Sequence, residues 1–274
     1  MAIWQSGDVH VNGVRLHYTR TGGDKPPVVL AHGFSDDGLC WTPVAEALES
    51  DYDAIMVDAR GHGQSEAPEQ GYNMADMAGD LRGMIVELGL HRPPVVGHSM
   101  GGGTALALAS LYPDVPGAIF LEDAAPLGLA AMRMPQRPNR RAQMGQWIAS
   151  MREKTREQLI AEQHAAAPTW PEAVLGLWAD AHLRLSPQAA AFDPATGVDW
   201  EAVLPRINCP ALLVAADPEC GGMIGAESAA AFQSFVPQLC VIQIDGAGHC
   251  VRYEQFGRYI DILRGFLAGV TALR

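Results

Sequence analysis

The sequence predicts an α/β protein: a doubly wound, mostly parallel sheet carrying one helical insertion. Three observations carry that prediction. Short, continuously apolar runs recur along the chain, the mark of strands buried on both faces. Stretches with helical spacing separate them, and strand followed by helix, repeated, means a mostly parallel sheet covered on both sides. The alternation breaks over one long segment, 125–204, and resumes after it.

Taken in order, Val9 to Val11 and Val14 to Tyr18 flank Asn12-Gly13, a strong hairpin signal. Pro27 to Ala31 is the first continuous apolar run. Ala54 to Val57, Val95-Val96, Ala118 to Leu121, Ala211 to Val214 and Val241 to Ile244 repeat it. Helices are expected between them at Trp41 to Leu48, Met74 to Leu88, Gly102 to Leu111, Ala226 to Phe235 and Tyr253 to Leu267. The interruption holds Trp147, Trp170, Trp178 and Trp200, four of the six tryptophans, together with Met132, Met134, Met144 and Met151. Helices fit Arg140 to Met151, Thr155 to His164 and Glu172 to Leu183, with Pro135, Pro138, Pro168, Pro171, Pro187 and Pro194 as punctuation. The expected organisation is a core formed by 1–124 and 205–274, with 125–204 as a helical cap.

Composition narrows the function classes. The 274 residues, 48% of them hydrophobic, suffice for one large core. A net charge of −12 and only two lysines, Lys25 and Lys154, argue against nucleic acid and anionic membranes as partners. The N-terminus has neither the basic nor the apolar region of a secretory signal, and no run approaches a membrane span. The five cysteines are odd in number and scattered, which suits free thiols in a reducing cytoplasm. No histidine or cysteine set has metal-ligand spacing, and Asp36-Asp37 reads as an exposed acidic turn. No cofactor and no metal is expected; the oligomeric state is not readable.

The chemistry centres on Gly97-His98-Ser99-Met100-Gly101, set between a strand and a helix. A serine there sits on a sharp elbow with its hydroxyl pushed clear of the backbone. The alternative meaning, a helix-capping serine, yields to the helpers found elsewhere in the chain. His249 follows the last strand in a glycine-rich loop and can serve as the base. The group orienting it is Asp217, at the exit of the penultimate strand, with Glu219 and then Asp123 as rivals. The backbone N–H groups of Met100 and Phe34 are candidates for an oxyanion hole.

His32-Gly33-Phe34, Asp58-x-Arg60-Gly61-His62-Gly63-x-Ser65, Gly97 to Gly102 and Gly246-x-Gly248-His249 together resemble the α/β-hydrolase superfamily from about Val9 to Leu267. Many relatives carry the acid in a Gly-x-x-Asp turn. Here the segment is Ala215-Ala216-Asp217-Pro218-Glu219, which keeps Glu219 in contention. The resemblance implies the order nucleophile, acid, histidine. It also implies that Ser99 argues against the dehalogenases and epoxide hydrolases, which use aspartate at the elbow. The expected activity is hydrolysis of a small, largely apolar ester or lactone through an acyl-enzyme, with water as second substrate. Carbon–carbon bond hydrolysis or cofactor-free perhydrolysis on the same residues is the alternative, and a non-catalytic binding member of the fold is a second.

Overall fold

Asn12 and Gly13 both take positive φ, 51° and 74°, the twist that an Asn-Gly hairpin turn requires. They join β1 (Gln5–Val11) to β2 (Val14–Arg20), which pairs antiparallel with β1. The computed structural model describes residues 4–126 and 139–272. Six further strands follow: β3 (Pro27–Ala31), β4 (Asp53–Val57), β5 (Pro94–His98), β6 (Ala118–Glu122), β7 (Ala211–Ala216) and β8 (Leu239–Ile244). They run parallel to one another, and the sheet order is β1-β2-β4-β3-β5-β6-β7-β8. Residues of β4, β5, β6 and β7 are buried throughout, as their unbroken apolar runs require.

The helices are α1 (Thr42–Leu48), α2 (Met74–Glu87), α3 (Met100–Leu111), α4 (Arg140–Arg152), α5 (Arg156–Ala166), α6 (Glu172–Arg184), α7 (Trp200–Val203), α8 (Ala226–Phe235), α9 (Val251–Glu254) and α10 (Phe256–Ala272). One core lies under α1 and α10, the other under α2, α3 and α8. Asn73 starts α2 with a reciprocal cap: its side chain accepts from the Asp76 amide, while Asp76 accepts from the Asn73 amide. The helix expected over Tyr253 to Leu267 is two helices that break at Gln255, and α3 begins two residues earlier than its spacing suggests.

Helices α4 to α7 lie between β6 and β7 in sequence. Side-chain contacts are among those that tie this insertion to the sheet's carboxyl edge. Arg184 donates to Asp37 Oδ2 through Nε at 2.8 Å and Nη2 at 2.5 Å. Trp170 Nε1 donates to Glu254 Oε1 at 3.3 Å. Phe192 stacks on Phe34 with ring centroids 5.6 Å apart. Of the residues singled out here, Met132, Met134, Pro135 and Pro138 fall outside those described.

Register places the site. Gly97 pairs with Leu121, His98 with Glu122, and Glu122 with Val214. Ser99 and Asp123 are therefore each the first residue beyond neighbouring strands, at the edge where open α/β sheets bind ligands.

Candidate active site

Ser99 has φ 50° and ψ −111°, a strained conformation for a residue with a side chain. Its amide donates to the Glu122 carbonyl at 3.1 Å, and its carbonyl accepts from Gly103 at 2.9 Å. The flanking glycines are sterically obligatory. A Cβ on Gly97 would lie 2.3 Å from the Gly101 carbonyl oxygen, and one on Gly101 would lie 2.1 Å from the Ala31 oxygen. Helix α3 can press against the ends of β3 and β5 only without side chains there, and that pressure pins the elbow.

The imidazole of His249 donates from Nδ1 to Asp123 Oδ2 at 2.7 Å. In the neutral ring this tautomer leaves Nε2 free to accept, as a general base requires. Asp123 is fully buried and has φ 42°. Its Oδ1 accepts from Ala216 N at 3.3 Å, and its Oδ2 also accepts from Met223 N at 2.9 Å. Two backbone amides thus hold the carboxylate in place where it meets the imidazole.

The expectation that Asp217 orients the histidine is corrected. Asp217 Oδ1 accepts from the Glu219 amide and Oδ2 from the Gly246 amide, both at 2.9 Å. Those two amides hold its carboxyl below the usual range. Asp217 instead caps its own turn and fastens the loop that leads to His249. Glu219 is exposed and offers no side-chain contact to the imidazole. The β8–α9 loop reaches past the end of β7 to the end of β6, a distance that no local feature of the sequence encodes.

The loop after β3 brings Phe34 to the same edge. His32 Nε2 accepts from the Ala59 amide at 3.0 Å, so its proton is on Nδ1, which donates to the Gly33 carbonyl at 2.7 Å. Burial pushes the His32 pKa down to about 3. The loop is therefore braced by a neutral ring. A Cβ on Gly33 would fall 2.6 Å from His98 Nδ1, so glycine is what lets the loop lie against the elbow. His62 sits between the carbonyls of Arg60, at 2.8 Å, and Phe34, which agrees with a bracing role for the Asp58-to-Ser65 loop. Among the described residues the Phe34 amide has no hydrogen-bond partner. Met100 opens α3, where the first amides lack intrahelical acceptors.

A serine on a strained backbone, an imidazole backed by a buried carboxylate, and the backbone amides of Phe34 and Met100 make up the parts of acyl-transfer chemistry. A model of the alpha/beta hydrolase fold family matches residues 26–255. The chain belongs to that family. It is 30% identical over 267 residues to N-formylmaleamate deformylase of Pseudomonas putida, covering 95% of this chain and 96% of that one. It is 28% identical over 244 residues to 2-(acetamidomethylene)succinate hydrolase of Mesorhizobium japonicum, covering 85% and 84%. A solved N-formylmaleamic acid deformylase from Pseudomonas putida superposes with TM-score 0.79 at 25% identity, over 94% of this chain and 99% of that chain.

Other parts of the site were not legible in the sequence. Asp36 and Asp37 are buried, not an exposed acidic turn; Arg252 and Arg184 cover them. Glu122 and Arg252 form a buried pair directly behind Asp123. The adjacent pair Glu122-Asp123 at a strand end was the available signal, since two carboxylates there need two separate partners. Among the described residues no cluster has a metal-ligand arrangement, and no helix is long and apolar enough to cross a membrane.

The insertion carries a pH-sensitive residue. His182 is buried, donates from Nδ1 to the Trp178 carbonyl at 2.8 Å, and packs 3.8 Å from the Trp178 ring. Burial pushes its pKa down to about 4. The unfolded chain, with an ordinary value of about 6.5, then binds the extra proton between these limits. Its contribution is full above pH 6.5 and is lost as pH falls towards 4, about 3 kcal/mol in all. His182→Phe keeps the ring contact and removes the titration. Denaturant midpoints measured from pH 7 to 4 should therefore fall less steeply for the variant. Parallel profiles would show that the ring titrates as in water.

Proposed function

We propose that this protein is a serine hydrolase that cleaves a small acyl compound through a covalent acyl-enzyme. The Asp123–His249 hydrogen bond beside Ser99 is the observation that carries the reading. Ser99 Oγ attacks the substrate carbonyl while His249 Nε2 takes its proton. Asp123 stabilises the imidazolium and keeps the ring in the tautomer it needs. The Phe34 and Met100 amides receive the developing oxyanion. His249 then gives the proton to the leaving group, and water, activated by the same base, releases the acid.

Segment 125–204 serves as the cap. Phe192, packed on Phe34, with Met144 and Trp147 of α4 in the same apolar cluster, supports a largely apolar acyl site. The bond cleaved is an ester or lactone on the residues alone. The two long matches favour a second reading, because N-formylmaleamate and 2-(acetamidomethylene)succinate are both N-acyl compounds. That favours a C–N bond, with His249 protonating a nitrogen leaving group.

A panel of short p-nitrophenyl esters, lactones, N-formyl and N-acetyl amides, and a vinylogous diketone separates the readings. The expected result is turnover of acyl compounds, with kcat/KM highest for the N-acyl amides if the second reading holds. Exclusive turnover of the diketone would place the chemistry at carbon–carbon bonds. No turnover and no labelling of Ser99 by a fluorophosphonate would leave a binding protein.

A further inference from the structure

We propose that Arg252, together with Glu122, is a positioning element that holds the separate segments of the hydrolytic site in one geometry; the proposal rests on the serine-hydrolase reading above. Arg252 has no exposed side-chain surface, and neither has Glu122. The Arg252 backbone amide donates to Glu122 Oε1 at 2.9 Å, and Nη1 donates to Oε2 at 3.1 Å. Nη2 donates to Asp36 Oδ2 at 3.1 Å and to the Tyr253 hydroxyl at 3.2 Å. The guanidinium lies 4.6 Å from the Trp41 ring centroid and 4.3 Å from that of Tyr253.

What these bonds connect is the argument. Asp36 is two residues beyond Phe34, on the loop that offers the oxyanion amide. Glu122 precedes Asp123, and its carbonyl accepts the Ser99 amide. Arg252 is three residues beyond His249, in the first turn of α9, which the histidine loop leads into. His98 closes the ring: its Nε2 donates to the His249 carbonyl at 3.1 Å, and its Nδ1 faces Asp36 at 4.0 Å. One fork-shaped cation therefore reaches the acid strand and the oxyanion loop from the helix that follows the histidine loop, and the Glu122 backbone extends the link to the elbow.

Stability alone does not account for such a group. A buried ion pair contributes little against apolar side chains of equal size, because desolvation offsets attraction. Among the described residues Arg252 Nε even lacks a hydrogen-bond partner. The planar fork gives what apolar packing does not, a fixed direction at each carboxylate. Small displacements of reacting groups are costly, about a hundredfold for an error near 1 Å.

The test is the rate constant for labelling of Ser99 by a fluorophosphonate, which needs no knowledge of the substrate. Arg252→Lys keeps the charge and loses the fork. Glu122→Gln keeps an acceptor for the Arg252 amide and loses the ion pair. In folded protein each should label about tenfold to a hundredfold more slowly than the parent. A merely structural role lowers the fraction of protein that labels and leaves the rate constant of that fraction unchanged. Unchanged rate constants in either folded variant overturn the proposal. If the parent chain itself does not label, the serine-hydrolase reading has failed instead, and that outcome is distinct.

Discussion

Ser99→Ala is expected to lower kcat about a million-fold, the scale seen when a serine nucleophile is removed from an intact hydrolase. Alanine retains Cβ, so it enters the φ 50° conformation on the same terms as serine. The glycine contacts around the elbow and the Asp123–His249 bond do not involve the hydroxyl. The loss is therefore chemical rather than structural, and the variant should melt within a few degrees of the parent. Steady-state rates on the best compound of the panel, read beside fluorophosphonate stoichiometry, check it. Parent-like turnover in the purified variant would remove Ser99 from the reaction.

The second large effect separates two aspartates. Asp123→Asn should reduce kcat about ten-thousand-fold, because an amide facing Nδ1 stabilises the wrong imidazole tautomer and no imidazolium. Asp123 also accepts amides from Ala216 and Met223, so some loss of stability accompanies the change. Asp217→Asn should cost only a few-fold in kcat, because that carboxylate meets the amides of Glu219 and Gly246 and not the ring. Comparing kcat of the two variants is decisive. The opposite ranking would return the role to Asp217.

The two aspartates show where sequence reasoning stops. Both follow an apolar strand, both can exit toward the same edge, and the chain order serine, acid, histidine admits either. What separates them is how far the loop after β8 reaches across that edge. It passes the end of β7 and delivers His249 to β6, while the Asp217 carboxylate is consumed by Gly246, three residues before the histidine. The pair Asp36-Asp37 shows the same limit. Two adjacent acids look solvated in a sequence, because their partners, Arg252 and Arg184, are supplied from distant segments.

The strands needed no tertiary information. The runs of β4 to β7 are self-announcing because a strand buried on both faces has no polar side; β1, largely exposed, was marked by its Asn-Gly turn, and each expected run lies within an observed strand. The three principal helices of the insertion were equally legible, since Thr155 starts α5 with a reciprocal cap to Gln158 and Pro171 immediately precedes α6.

By itself the sequence determined the strands, the elbow at Ser99, the loop bearing His249 and the loop bearing Phe34, because each is specified by local backbone chemistry. Glycines at 97, 101 and 33 permit approaches that no other residue allows. Only the tertiary structure decided which carboxylate meets the imidazole and which charges lie buried behind it. Those are distances between segments far apart in the chain, set by strand order and loop reach, and no local pattern of residues encodes them.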